Sequence, residues 1–422
     1  MNKIAVIGGG ASGMVAAIRA AAMGGAVTIY EKNERVGQKI LATGNGKCNL
    51  SNMEMDQKYF HTSHPYQLVK MLHKFSVADT ITFFAWLGLM VREKGAHLYP
   101  YSEQASAVLD VLRFKLADLD VKVICGCEIE TVKERENGMF LVGGELYEKV
   151  IVACGSRAWV KKGDGRSGYK IAEGFGHSLA KVVPGLCKLK CREGFLKGLA
   201  GVRCQAQLTM VVNGSEKQYE RGELQFTKDA LSGIPIFELS RNAAYALEAG
   251  DDVAVLVNFF PEMNEGEYEA FCRARYDLDN DRSIADFLVG MTNKKINQAM
   301  IRLSGLKADD LVDTVDYRKI FSLLKGYRQL KFTVTETDSF ENAQVCAGGV
   351  TLLNLSENME SRLVPGLYFV GEIVDVDGRC GGYNLQWAWT SGYLAGTSAA
   401  LESDPASCYY EKALRARNLL PV

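Results

Sequence analysis

Proline is scarce in this chain: 422 residues carry 8 Pro against 42 Gly. That excludes proline-rich linkers and extended low-complexity segments. The glycines instead cluster in pairs and triplets, which points to places where backbone must approach something closely. Patterned cysteine is missing too. The 11 Cys are odd in number and scattered, with no Cys-x-x-Cys and no His-x3-His beside them. A disulfide framework and a zinc site are thereby excluded, and reduced thiols are expected. Even the closest pairs, Cys125 with Cys127 and Cys187 with Cys191, read as buried strand or loop thiols. Long apolar runs are also lacking, since no window approaches the roughly 18 residues a membrane helix needs. The apolar start from Ile4 to Val27 carries Arg19 and several glycines, without a basic leader or a convincing cleavage site, so it reads as strand, turn and helix rather than signal peptide. A soluble, cytoplasmic chain is expected, with no membrane partner. Charge of one sign is absent as well: 49 basic against 50 acidic side chains leave a net charge of -1. No global field draws this chain to nucleic acid, although a local basic patch remains possible.

What is present begins with size. A chain of 422 residues exceeds what one hydrophobic core usually organises, so two or three domains are expected. At the amino end "KIAVIG" is a β-branched run fit for a buried parallel strand, and Gly8-x-Gly10-x-x-Gly13 follows at once, opening the helix "MVAAIRAAAMG". The next strand, "AVTIYEK", carries Glu31, 23 residues after Gly8. Gly8 permits a tight turn, Gly10 lets a pyrophosphate approach the backbone, and Gly13 lets helix pack on strand. The helix start supplies N–H groups and a positive dipole end to phosphate, while Glu31 can accept a ribose hydroxyl. Strand, helix, second strand and acidic terminus together predict a dinucleotide-binding βαβ unit. The same spacing recurs at Gly163–Gly168, but no strand abuts it and no acid-ended strand follows, so it reads as a loop capping the helix "YKIAEGFGH".

After Glu31 the chain does not continue as a plain α/β repeat. The stretch "RVGQKILATGNGKCNLSN" surrounds Lys39, Thr43, Asn45, Lys47 and Asn49 with Gly37, Gly44 and Gly46, a loop suited to lining the middle of a long cofactor. Strands "DVKVICGCEIETV" and "EKVIVACG" return to a sheet. More than 300 residues on, "GLYFVGEIVDVDGRCGGYNLQWAWTSGYLAG" offers a strand ending at Gly371-Glu372, a glycine turn, and a helix beginning near Tyr383. That second helix start can face the N1 and C2 carbonyl of a flavin, where negative charge collects on reduction. The two turns are thus expected to hold opposite ends of one FAD. Gly10→Val should abolish flavin retention while leaving the fold, and Gly382→Val should weaken flavin binding or make reduction harder.

These stretches, with "GELQFTKDALSGIPIFELS", "VCAGGV" and "NMESRLVPGLYFVGE", together resemble the BaiN-like flavoproteins, also known as aminoacetone-oxidase-like NAD(P)/FAD-dependent oxidoreductases, within the glutathione-reductase-type FAD fold. The resemblance spans essentially the whole chain. It implies an α/β architecture: a Rossmann-type FAD-binding domain with an inserted β-barrel-like plus helical substrate domain. The expected boundaries are 1–187 for the first FAD-binding part, 188–332 for the insert (β-rich 188–260, helical 261–332) and 333–422 for the second FAD-binding part. It also implies that Gly8, Gly10, Gly13 and Glu31 hold the ADP half and that Lys39, Thr43 and Asn49 line the middle or flavin end. Glu372 would reach the ribityl chain, and Gly381, Gly382, Asn384 and Leu385 would offer backbone to the ring. Ala11, Ser12, Lys32, Ile129, Ala153, Gly155 and Gly371 complete the expected cofactor contacts. Two departures stand out: Glu372 where the wider fold usually has Asp, and Ala153-Cys154-Gly155 where many related chains read Ala-Thr-Gly.

Reducing a double bond needs a proton donor near the carbon that receives no hydride. Cys380, Tyr383 and Cys48 are the catalytic candidates, each with packing as the alternative reading. Cys346 reads as buried, and His97 and His177 as surface or capping residues. Three functions fit: NAD(P)H-linked reduction of a carbon-carbon double bond in a small unsaturated metabolite, oxidation of an amine, or reduction of a uracil in ribosomal RNA, an activity of some relatives. For the last, "YRKIFSLLKGYRQLK" supplies Arg318, Lys319, Lys325, Arg328 and Lys331 with no acid. NADH or NADPH would act as a transient electron donor, and no metal is expected.

Overall fold

The computed structural model describes residues 2–160 and 163–401. Residues 402–422, the end of the last segment predicted above, lie outside it. The chain forms two compact units, one built from Met1–Val182 with Val345–Val422 and the other from Val183–Gln344.

The first unit is organised by a five-stranded sheet in the order Leu367–Phe369, Lys149–Val152, Lys3–Ile7, Ala26–Glu31, Lys122–Cys125. All four pairings are parallel. The strands Lys3–Ile7, Ala26–Glu31 and Lys149–Val152 are rich in β-branched residues and almost wholly buried because both sheet faces are covered there, while the edge strand Lys122–Cys125 is largely exposed. The expected strand through "DVKVICGCEIETV" stops at Cys125: Gly126 turns away at φ +70, its N–H donating to Asn33 O at 2.9 Å.

Helix Ala11–Ala22 is buried nearly all round, so a second element must cover the side that does not face the sheet. That element is the terminal helix Tyr383–Ala400. A Cβ added to Gly392 would lie 2.3 Å from Ser12 O, and one added to Gly396 would lie 2.3 Å from Ala16 O. Two glycines four apart thus meet two carbonyls four apart in the same direction, so the helices run parallel with backbones touching. Gly392 is level with Ser12, two residues after the Gly10 cap of the first helix but ten after the Gly382 cap of the terminal one, so at about 1.5 Å per residue the terminal helix starts about 12 Å beyond the start of the first. This displacement places the two glycine turns at separate stations along one line.

The 37–49 stretch, expected as an open loop, contains the short helix Gln38–Ala42, entered through Gly37 at φ +72. Left-handed residues Gly44, Asn45 and Gly46 then turn the chain sharply. It continues into a small antiparallel sheet of Ser51–Asn52, His97–Pro100 and Val91–Lys94.

The second unit is a closed antiparallel barrel of Leu189–Cys191, Ala230–Ser232, Ser215–Phe226, Arg203–Val212, Val253–Asn258 and Leu330–Thr337, with helices over 265–279, 284–287, 294–304 and 317–326. Its β-then-helical order is broken twice. Helix Ile234–Glu248, with Pro235 in its first turn, buries Ile236, Leu239 and Ala243 within the β-rich part. The closing strand follows the helices, because the barrel edge left by Leu189–Cys191 and Val253–Asn258 is paired by Leu330–Thr337. Among the described residues no helix is long and apolar enough to cross a membrane.

Candidate functional site

The three glycines of the first turn do different things. Gly8 has φ +107, and an added Cβ would lie 2.3 Å from Ala153 O, so this position serves strand-to-strand approach. At Gly13 a Cβ would lie 2.0 Å from Gly8 O, which makes it a packing glycine. Gly10, the residue capping the helix with φ -80, has no atom of the described residues within 4 Å of an added Cβ. Gly155, at φ +71 after Ala153, is equally open. Gly10 and Gly155 therefore form a cradle that side chains would fill. Ala11 and Ser12 open the helix beside it, and Ser12 Oγ lies 2.4 Å from where a Cβ on Gly371 would sit.

Glu31 is buried at the end of its strand. Its Oε2 accepts the Gly9 N–H at 2.8 Å, while Oε1 accepts the Asn33 N–H at 2.8 Å and Asn33 Nδ2 at 2.6 Å. The carboxylate braces the turn itself, and Oε2 keeps capacity for one further donor such as a ribose hydroxyl. Lys32 is half-buried beside it, and Ile129 is buried in the irregular stretch after the edge strand.

Lys39 Nζ meets Glu372 Oε2 at 2.6 Å, and Glu372 Oε1 accepts the Cys346 N–H at 3.2 Å. The expected ribityl contact of Glu372 is thus shared with an ion pair that was not foreseen. Burial first, and the Glu372 charge second, push the buried Cys346 thiol up to about 11. Nearby Tyr169 is buried with no partner for its hydroxyl among the described residues, and burial, with Cys346 and Glu372 adding to it, holds that phenol protonated well above its usual range. Gly371 is locked in place: its N–H donates to Ser391 Oγ at 2.9 Å and its carbonyl accepts Trp387 Nε1 at 3.0 Å.

At the far end the small sheet meets the second glycine turn. Thr43 Oγ1 donates to Ile40 O at 2.6 Å, and its carbonyl accepts the Cys48 N–H at 3.1 Å. Asn49 Nδ2 lies 3.1 Å from His97 Nδ1, and Asn49 Oδ1 is buried without a partner among the described residues. Asn52 Nδ2 donates to Gly381 O at 3.0 Å. Asn384 spends its side chain on Gly378, accepting the N–H at 2.8 Å and donating to the carbonyl at 2.7 Å, so only its backbone faces the turn. Leu385 is half-buried in the same first helical turn.

The catalytic candidates separate by exposure. Cys48 is fully buried, and burial pushes its thiol up to about 12 against the opposing hydrogen bond with Thr43. Tyr383 is buried, stacked on Tyr59 at 4.9 Å and edge-on to Phe60 at 5.7 Å. Cys380 is half-buried in the turn. Neither histidine lies where its sequence suggested. His97 sits against Gly381, and His177 is buried with Nε2 2.9 Å from Ser361 Oγ. Asn52 escaped notice, and the place of His97 against the turn was not foreseen, because only strand pairing sets the two opposite each other.

The open backbone at Gly10 and Gly155, the Asn49 oxygen and the remaining acceptor capacity of Glu31 Oε2 fit an extended dinucleotide. In chemical terms the line offers backbone N–H groups and a cation to phosphate, and hydroxyl acceptors at each end.

The family described as HI0933-like protein Rossmann domain matches residues 2–398. A 3-dehydro-bile acid delta(4,6)-reductase of Clostridium scindens is 39% identical over 95% of this chain and 99% of its own length. Two ribosomal RNA dihydrouridine synthases are more distant: that of Haemophilus influenzae is 27% identical over 93% of this chain and 97% of its own, and that of Escherichia coli 28% over 92% and 95%.

Proposed function

The chain belongs to the HI0933-like Rossmann family, and from that membership we propose an FAD-dependent oxidoreductase that reduces a carbon-carbon double bond in a small unsaturated metabolite. The observation that carries this reading is end-to-end similarity to a delta(4,6)-reductase, at 39% identity, on a chain with two helix starts about 12 Å apart along one line. FAD, when bound, supplies hydride chemistry. The chain does the rest. Gly10 and the first helix start receive the pyrophosphate, Glu31 accepts a ribose hydroxyl, and Lys39 offers a cation at the middle. The Gly381–Gly382 turn and the terminal helix start present N–H groups where negative charge develops. Cys380, Tyr383 and Cys48 are the candidate proton donors at that end, Cys380 being the half-buried one. NADH or NADPH is the proposed electron donor, and the cytoplasm the proposed location.

A second reading, ribosomal RNA reduction, is favoured by the names of two relatives and by the basic stretch 317–331. The structure breaks that stretch up. Arg318 is paired with Asp316 at 2.8 Å, Arg328 donates to Asn264 O at 2.8 Å, and Lys331 belongs to a barrel strand. We therefore rank the small metabolite first.

The test is anaerobic: the purified protein, reduced with NADH or NADPH, is mixed with a 3-oxo-4,6-diene bile acid and flavin reoxidation is followed alongside loss of the conjugated absorbance. Reoxidation with saturation of the diene is expected. No turnover of such enones, together with loss of a ribosomal dihydrouridine in a deletion strain, would move the assignment to RNA.

A further inference from the structure

The Gly381–Gly382 turn has no side chains to stiffen it, and both residues hold left-handed backbone, at φ +128 and +98. Something outside the turn must set its direction. Asn52 stands directly opposite His97 in the small antiparallel sheet. Asn52 Oδ1 accepts the Glu54 N–H at 2.9 Å, which fixes the amide so that Nδ2 faces the turn. From there Nδ2 donates to Gly381 O at 3.0 Å and lies 3.4 Å from His97 Nδ1. Asn49 Nδ2 approaches the same ring nitrogen at 3.1 Å. Two amide nitrogens thus converge on Nδ1, which also lies 3.4 Å from Gly381 O, so the ring is held between both amides and the turn. The ring also backs the turn sterically: a Cβ on Gly381 would lie 3.3 Å from His97 Cε1 and 3.4 Å from Asn52 Nδ2.

A trans peptide points its carbonyl and its N–H in opposite directions. Pinning Gly381 O against Asn52 therefore aims the Gly382 N–H away from the small sheet, and that N–H has no acceptor among the described residues. We propose that Asn52 and His97 are positioning residues that aim the Gly381–Gly382 peptide and the terminal helix start at the bound flavin ring, and so set how readily the flavin is reduced. The inference rests on the reading that FAD occupies this site. A peptide free to rotate would deliver less of its N–H dipole to the developing negative charge, so losing the brace makes reduction harder.

The test measures FAD content, the midpoint potential by dye equilibration, and the visible spectrum of the holoprotein. Asn52→Leu keeps volume and removes the donor. It should retain FAD, with a more negative potential and a shifted absorption band. His97→Ala should shift the potential the same way, and His97→Asn, whose amide can occupy the place of Nδ1, should bring it back toward wild type. If Asn52→Leu fails to fold, the His97 pair decides. Potential and spectrum superimposable on wild type at full occupancy, in whichever variants fold, would overturn the proposal. A wild-type protein that holds no FAD would sink the cofactor reading instead, which the first measurement distinguishes.

Discussion

Lys39 and Glu372, 333 positions apart in sequence, are joined by a 2.6 Å ion pair. The side chains are 35% and 19% exposed, so solvent screens the pair and its contribution to folding is at most about 1 kcal/mol. A phosphate or ribityl oxygen arriving beside Lys39 would find a charge-assisted donor already held in place by Glu372. Lys39→Met should therefore weaken FAD binding by about tenfold or more, while shifting unfolding by less than about 1 kcal/mol. Titration of apoprotein with FAD and urea denaturation separate the two effects. A large loss of stability with unchanged FAD affinity would make the pair a purely structural link.

The first-turn glycines give opposite outcomes on substitution. At Gly10 a valine meets no atom of the described residues near its Cβ, so the fold should survive and flavin should be lost. At Gly13 even alanine would press on Gly8 O at 2.0 Å, so Gly13→Ala should cost about 1–3 kcal/mol or more before any cofactor is considered. Circular dichroism melts and acid release of flavin from each variant check this contrast. A Gly10→Val protein that stays yellow would remove the pyrophosphate from this cradle.

Gly382 changes meaning once the structure is known. The sequence suggested that Gly382→Val would weaken flavin binding or make reduction harder, but an added Cβ also lies 2.6 Å from Ser51 C and O, at φ +98. Gly382→Ala is expected to lower the melting temperature through that clash and the strained backbone, at least about 1–2 kcal/mol for the latter. Wild-type thermal stability in Gly382→Ala would contradict the packing seen here.

His177 should make stability fall toward acid pH. Burial depresses its pKa below 6.5, because the charged imidazole is disfavoured inside the fold. The unfolded chain then binds the proton more tightly than the folded one. Its contribution is thus fully present above the unfolded value and is lost as pH falls below about 6.5 toward the depressed one. His177→Gln, which can keep a bond to Ser361 Oγ, should show a flatter dependence of melting temperature between pH 7 and pH 5. Parallel curves for the two proteins would rule this out.

The sequence by itself determined the elements whose signal is local. The strand "KIAVIG", the glycine spacing from Gly8 to Gly13, the strand ending at Glu31 and the helix starting at Tyr383 are all found where residue order put them. Each depends on neighbours in sequence: β-branched runs for buried strands, and glycine where left-handed backbone or close approach is needed. Local pattern misled where pairing decides. The strand drawn beyond Cys125 ends there because the chain turns away at Gly126, and the last barrel strand, 330–337, was read in part as helix because only closure of the barrel assigns it. The same division runs through the site. Gly10 and Glu31 were legible because one turn contains their partners. Asn52 and His97 were not, since their facing depends on the register of two strands, nor was Lys39 with Glu372, whose meeting depends on how the ends of the chain come together. The parallel crossing of Gly392 and Gly396 on Ser12 and Ala16 is likewise invisible in either helix alone. Backbone can touch backbone only when both surfaces arrive together, and that contact decides how far apart the two turns stand.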